Sequence, residues 1–323
     1  MRSISETKPR LSIIVIGFRM SRQLENTLYS LSCDYQSNCD PDSYEVVVVE
    51  NSSDDCLSKS FVSELSGQFR YYLRNEESSS PVPAVNFAFE KCRGSFIGLI
   101  IDGARMLSPR VIEHALMAYN ASNNAVAMVP GYHIGTQEQH LHSENYTFEQ
   151  DQQLLDSILW QTNGYRLFEI STFSNGNRRG FLQPMMECSC VFAAHASYEK
   201  IGFADHRFML AGGGAINLHI YRSLGMLKDS RLFVLAGEGS FHQFHGGATT
   251  SHDEQRENLM AQFMEQLNEC WPDGFQALRR EPILLGSISK EANSALSNSC
   301  EFAKTRFERL EANNKPIWPD DNA

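Results

Sequence analysis

Asp102 closes an apolar run at residues 95–109, SFIGLIIDGARMLSP, where a buried strand would hand over to a turn. Open α/β sheets bind ligands outside the carboxyl ends of their strands. A carboxylate there is costly unless a ligand, a metal or hydrogen bonds satisfy it. The run therefore predicts a polar-ligand site centred on Asp102. Glu50 closes a second such run, YEVVVV at 44–49, and is placed in the same way; a helix-cap or turn carboxylate is the plainer alternative. Arg19, in the loop after the first apolar run, and Arg105, three residues past Asp102, could answer a ligand's negative charge. Each alone reads equally well as a solvated surface arginine. His242-Gln-Phe-His245-Gly-Gly offers two imidazoles at i, i+3, and its glycines permit a tight loop. A histidine pair of this kind is more often structural than metal-binding. Glu187, Asp205 and Glu238 are the nearby carboxylates for proton transfer, although a surface or salt-bridged role suits each taken singly.

These side chains need elements to hold them. Leu11–Gly17 (LSIIVIG) is continuously apolar and β-branched, the pattern of a strand buried on both faces. Residues 21–32 carry Leu24, Thr27, Leu28 and Leu31 at helical spacing. A short strand at 69–73 and a helix at 83–92 follow, with Pro83 in the helix's first turn and Gly94 as its stop. Ser108-Pro109 opens another helix as N-cap and N1, and 125–130 returns to strand. Alternating strands and helices predict parallel pairing with helices on both faces. Residues 131–183 are polar and irregular apart from a helix at 149–162. Connections of that length are usually functional or mobile. Residues 187–194 (ECSCVFAA) form a core strand. Beyond about residue 251, two amphipathic stretches predict a helical tail that packs on the main domain or on another subunit, so a homodimer would suit it. The expected division is 1–250 and 251–323.

Bulk properties exclude several classes. The chain has 323 residues and a formal net charge of −11, with no dense Lys/Arg stretch, so no nucleic-acid partner is expected. Eight cysteines form no C-x-x-C pair, and residues 1–10 are polar, so reduced thiols and a cytoplasmic location are expected. No apolar run approaches the roughly 20 residues of a membrane span. No G-x-G-x-x-G follows the first strand, and no Walker loop, G-x-S-x-G or H-E-x-x-H is present.

Taken in order, the segments resemble the family 2 glycosyltransferases of GT-A fold. That family's opening strand often reads SVIIPTYN; residues 12–20 here read SIIVIGFRM. Its second strand often ends VVDDGSTD; residues 48–55 read VVENSSDD. Its N…A…GEYIxFLDSDD…P order is matched by Asn86, Ala88, Gly94, Phe96, Ile97, Asp102 and Pro109. Residues 190–208 are similar to the segment leading into GGFDERF. The resemblance spans about 11–247. It implies an α/β, GT-A-like domain with a mostly parallel sheet flanked by helices, plus a helical C-terminal extension. It implies a nucleoside diphosphate sugar at the strand ends, touched by Gly17, Arg19, Glu50, Asn86, Asp102, Gly103 and Arg105. Glu50 would meet the nucleoside, and Asp102 the ribose or a metal. For Asn86, tying a helix to a neighbouring loop serves as well.

Two departures strike the chemistry. The family's D-x-D is Asp102-Gly103-Ala104 here, so the second metal-binding carboxylate is missing. A divalent cation, Mn²⁺ or Mg²⁺, would have Asp102 and His245 as ligands, yet Ala104 tells against it; Arg105 or Arg19 could supply the charge instead. The family's ED segment is Gly213-Gly-Ala-Ile-Asn217, which carries no carboxylate. Glu187, Glu238 and His245 are then the expected catalytic groups. The expectation is inverting transfer of a sugar to a hydroxyl acceptor, a glycan or glycoconjugate. The alternative is a catalytically silent GT-A-fold protein that binds nucleotide sugars or protein partners.

Overall fold

Strands rich in valine and isoleucine lie at the centre of the molecule because both of their faces are covered. The computed structural model describes residues 8–138, 141, 146–246 and 254–322. The strands are β1 (Leu11–Gly17), β2 (Tyr44–Asn51), β3 (Phe69–Arg74), β4 (Phe96–Ile100), β5 (Arg105–Leu107), β6 (Ala125–Met128), β7 (Gly131–Ile134), β8 (Ser171–Phe173), β9 (Cys190–Ala194), β10 (Arg231–Leu235), β11 (Ser240–His242) and β12 (Ile283–Leu285). The helices are α1 (Ser21–Tyr29), α2 (Lys59–Glu64), α3 (Val82–Lys91), α4 (Val111–Ala121), α5 (Phe148–Ile158), α6 (His195–Lys200), α7 (Ile216–Gly225), α8 (Glu254–Cys270) and α9 (Asn293–Ala312).

Eight strands form the main sheet in the order β12-β10-β6-β9-β4-β1-β2-β3. All pairs are parallel except those of β9, which runs against both β4 and β6. Alternate residues point to opposite faces. Ile14, Val47, Ile97 and Val191 join a core under α3, α6 and α7. Ile13, Val46, Phe96 and Phe192 join a second core under α1, α2 and α4. Gly98 lies opposite Phe192, and a Cβ there would sit 2.4 Å from the ring.

A smaller sheet, β5-β11-β7-β8, stands at the carboxyl end of β4. Its strands fall where the sequence predicts turns or irregular chain. Because β5 pairs antiparallel with β11, residues 105–107 stay extended and α4 begins only at Val111. Ser108 is therefore no helix cap; its hydroxyl donates to Glu238 and accepts the Gly239 N–H. The segment past residue 250 is more than a helical tail, since its β12 adds an edge to the main sheet beside β10. The expected boundary at 250/251, like Gly247 of the histidine loop, lies outside the described residues. Among the described residues no helix is long and apolar enough to cross a membrane. All eight cysteines are free.

Candidate functional site

Asp102 follows β4 on a tight turn, and its two oxygens face different partners. Oδ1 accepts the Ala104 N–H at 3.1 Å. Oδ2 faces His242 Nε2 at 2.8 Å, His245 Nε2 at 3.6 Å and Arg105 Nε at 3.7 Å. The β5–β11 register sets His242 opposite Arg105, and the β11–β7 register sets it beside His133. Gly103 is required in the turn, because a Cβ would lie 2.7 Å from the Ile16 carbonyl oxygen.

The loop after β11 is fastened to α1. The Gln243 amide donates to the Gln23 carbonyl at 2.9 Å and accepts from Asn26 at 2.8 Å. Gln23 in turn donates to the Phe244 carbonyl at 2.6 Å. The Phe244 N–H donates to the buried Asp151 carboxylate at 2.6 Å. These bonds hold the two imidazoles together, with their Nε2 atoms 2.9 Å apart.

Burial alone would raise the Asp102 carboxyl, but the two imidazoles outweigh it and hold it well below the usual carboxylate range. Burial pushes His242 down to about 4, despite the neighbouring carboxylate. Burial and the carboxylate thus pull His242 in opposite directions, with its Nε2 held 2.8 Å from Asp102 Oδ2. One carboxylate oxygen and two imidazole nitrogens lie within 4.8 Å of one another. Two ring nitrogens aimed at each other and at one oxygen form a donor set suited to a divalent transition ion. Ala104 is fully buried, so a second carboxylate at that position would have no water, and the side chain brought to Asp102 from across the β5–β11 pair is His242, opposite Arg105.

A cleft of about 1490 Å³ opens over this cluster. Gly17, Arg19, Asp102, Arg105, Glu187, Asn217, His242 and His245 line it. Arg105 is 7 % exposed, and its Nε lacks a hydrogen-bond partner. Arg19 is exposed, has a left-handed φ of 51° and pairs with Asp54 at 3.2 Å. Glu187 accepts from the Asn217 amide at 2.6 Å. Asn217 sits in the first turn of α7 and was not among the expected site residues. Its segment carries no carboxylate, and only the fold brings its amide to Glu187.

Other expected residues stand apart from the cleft wall. Glu50 is fully buried behind Gly17, accepting from Tyr71 Oη at 2.6 Å and the Leu57 N–H at 3.1 Å; burial raises its pKa. Asn51, next to it, lines the cleft instead. Asn86 joins α3 to the loop at Ala204, donating at 2.9 Å and accepting at 3.0 Å. Glu238 is fully buried, accepts from Ser108 and from Tyr165 Oη at 2.9 Å, and faces His114 at 3.3 Å. Asp205 pairs with Arg207 at 2.6 Å.

The model of glycosyl transferase family 2 matches residues 12–183 of this chain. No curated protein matches the chain in sequence. Among solved structures, S. aureus TarS 1–349 is 13% identical with a TM-score of 0.48, over 92% of this chain and 72% of that one. The mannosyltransferase PcManGT from Pyrobaculum calidifontis, solved with GDP-Man and Mn²⁺, is 13% identical with a TM-score of 0.47, over 95% of this chain and 76% of that one. The central mostly parallel sheet with flanking helices is the GT-A-like architecture that the sequence resemblance implied. With more than half of its length matched by the family's model, the chain belongs to glycosyl transferase family 2.

Proposed function

We propose that the chain transfers a sugar from a nucleoside diphosphate donor to a hydroxyl acceptor, with inversion at the anomeric carbon. The observation that carries this reading is the Asp102–His242–His245 cluster beside buried Arg105, in the same cleft as Glu187. The donor's diphosphate lies against Arg105, whose buried Nε makes no hydrogen bond and only a 3.7 Å ion pair with Asp102. A divalent cation bound by Asp102, His242 and His245 would neutralise charge growing on the leaving diphosphate. Asn51 and Gly17 border the nucleoside, with Glu50 bracing the turn from behind. Glu187 takes the acceptor hydroxyl's proton, held in place by Asn217. The new bond to the anomeric carbon forms as the bond to the diphosphate breaks, which inverts the centre in a single displacement. Glu238 has no face on the cleft and His245 is engaged with Asp102, so both are set aside as the base.

Calorimetric titration with common nucleotide sugars, with and without Mn²⁺, tests the donor assignment. Binding strengthened by Mn²⁺ is expected; no binding by any donor under either condition would end the reading. Glu187→Gln should keep donor affinity and slow transfer by about 100-fold or more. Donor binding with no release of nucleoside diphosphate by the parent chain would return the silent binder instead.

A further inference from the structure

The chain as a whole is acidic, yet cations gather on one wall of the cleft. Arg178 and Arg179 follow β8, Arg279 precedes β12, Arg306 and Arg309 lie one turn apart on α9, and Lys315 comes after it. None of them belongs to the Asp102 cluster. They reach the same cleft because the loop before β9 packs on α9, where the Ser299 hydroxyl accepts the Phe181 N–H at 3.2 Å.

Arg306 is the telling member. It is 9 % exposed, and Nη2 donates to the Ile317 carbonyl while the guanidinium lies 4.6 Å over the Trp318 ring. Nη1 is buried without a hydrogen-bond partner. Among the described residues no carboxylate pairs with it. The neighbouring charges that act on it are Arg309 and Arg279, both of its own sign. Asp320 is committed to Arg279, at 3.2 Å from its guanidinium and 2.7 Å from its backbone nitrogen. Burial and the two arginines together hold Arg306 below the usual arginine value. A buried guanidinium with a free N–H and like-charged neighbours is costly to fold. Such a cost is tolerable where a ligand answers it, and a guanidinium fork matches the oxygens of phosphate or carboxylate.

We propose that this arm of the cleft, Arg306 with Arg279 and Arg309, binds an oxyanion of the acceptor, so that the acceptor is an anionic glycoconjugate carrying phosphate or carboxylate. The inference rests on the transferase reading above. Arg105 and the metal-binding set already answer the donor's diphosphate, which leaves the second basic arm to the second substrate.

The test uses the full chain carrying Arg105→Gln, which weakens the diphosphate subsite. Inorganic phosphate, and separately glucuronate, are titrated by calorimetry. Binding of one or both is expected; tighter phosphate assigns a phosphorylated acceptor, and tighter glucuronate a uronic one. Adding Arg309→Gln or Arg306→Met should weaken binding about tenfold or more. Arg306→Met should leave the melting temperature unchanged or higher, because it removes an unanswered charge; a lower melting temperature with anion binding intact would make Arg306 a structural residue and overturn the proposal. Should that variant fail to fold, exposed Arg309 decides, and Arg309→Gln binding phosphate as well as its parent overturns the proposal. Nucleotide-sugar affinity, measured on the same arm variants in the Arg105 background, should stay within twofold. Its loss there would assign the arm to the donor. A parent chain that binds phosphate but no nucleotide sugar would instead sink the transferase reading and leave the arm an anion site.

Discussion

At the scale of single residues, Asp102 divides its work between holding a turn and facing two imidazoles. Asp102→Asn should weaken Mn²⁺ binding about 100-fold, since it replaces the ligand charge. Stability should change by about 1 kcal/mol or less, because the apolar faces of β4 are untouched. A calorimetric Mn²⁺ titration reads the affinity and urea unfolding the stability; unchanged affinity would reduce Asp102 to a turn residue. Asp151 carries a second prediction. Burial raises its carboxyl to about 6, against the hydrogen bonds from Tyr146 and the Phe244 N–H. The native carboxyl thus holds its proton more tightly than the unfolded chain's at about 3.9. Stability from this group is full below about pH 4 and is lost as pH rises through about 6, a change of about 3 kcal/mol by pH 7. Asp151→Asn should therefore gain on the parent between pH 4 and 7 in urea midpoints; a constant difference would mean that Asp151 is ionised throughout. Asp102 was legible in sequence because a carboxylate that ends an apolar run must be answered by a ligand, a metal or hydrogen bonds. His242 was harder, because its partner Arg105 lies far along the chain and only strand register joins them. Glu50 looked like a nucleoside contact and Glu238 like a proton-transfer group, but buried donors nearby, Tyr71 for one and Ser108 and Tyr165 for the other, draw them inside.

At the scale of elements, long buried strands announced themselves and short ones did not. β1, β2 and β4 are built on apolar runs, with Val46–Val49 at the centre of β2, and those runs specify two-sided burial. β5, β7, β8 and β11 have three or four residues each, too few for a period, and exist because their partners lie across the chain. That small sheet carries Arg105 and His242, so the part of the fold least legible in sequence is the part that shapes the candidate site. Its tie to α1 is testable. Gln243 is 1 % exposed and bonds both Gln23 and Asn26. Gln243→Ala should leave those partners unsatisfied, costing about 1–3 kcal/mol. The freed histidine loop should weaken Mn²⁺ binding about tenfold, as outer-shell changes do. Chelator competition reads the affinity and urea unfolding the stability. Lost stability with full Mn²⁺ affinity would show that the loop needs no such fastening.

At the scale of the whole molecule, the question is whether the C-terminal segment is a separate unit, as the change in composition near residue 251 suggests. Three attachments argue that it folds with the rest. β12 adds to the main sheet through Ile283–Leu285 beside β10. Ala292 and Ala295 join the core that holds Ile14 and Val47. The Gly180 position admits no Cβ, which would lie 2.6 Å from the Ser299 backbone, so the loop before β9 is moulded to α9. Separate domains meet through exposed linkers and smaller contacts than these. Unfolding should then be a single transition. In a Trp160→Phe background, which removes the tryptophan packed against Tyr29 and Tyr35, Trp271 and Trp318 report from the C-terminal segment, whereas far-ultraviolet circular dichroism reports on all helices and strands. The two denaturation curves should coincide within error, which is the signature of one cooperative unit. An early fluorescence change, complete before the dichroism moves, would instead divide the chain near residue 251. It would also detach the arginine wall from the floor of the cleft, so coincident curves are required if both substrates are to meet in one site.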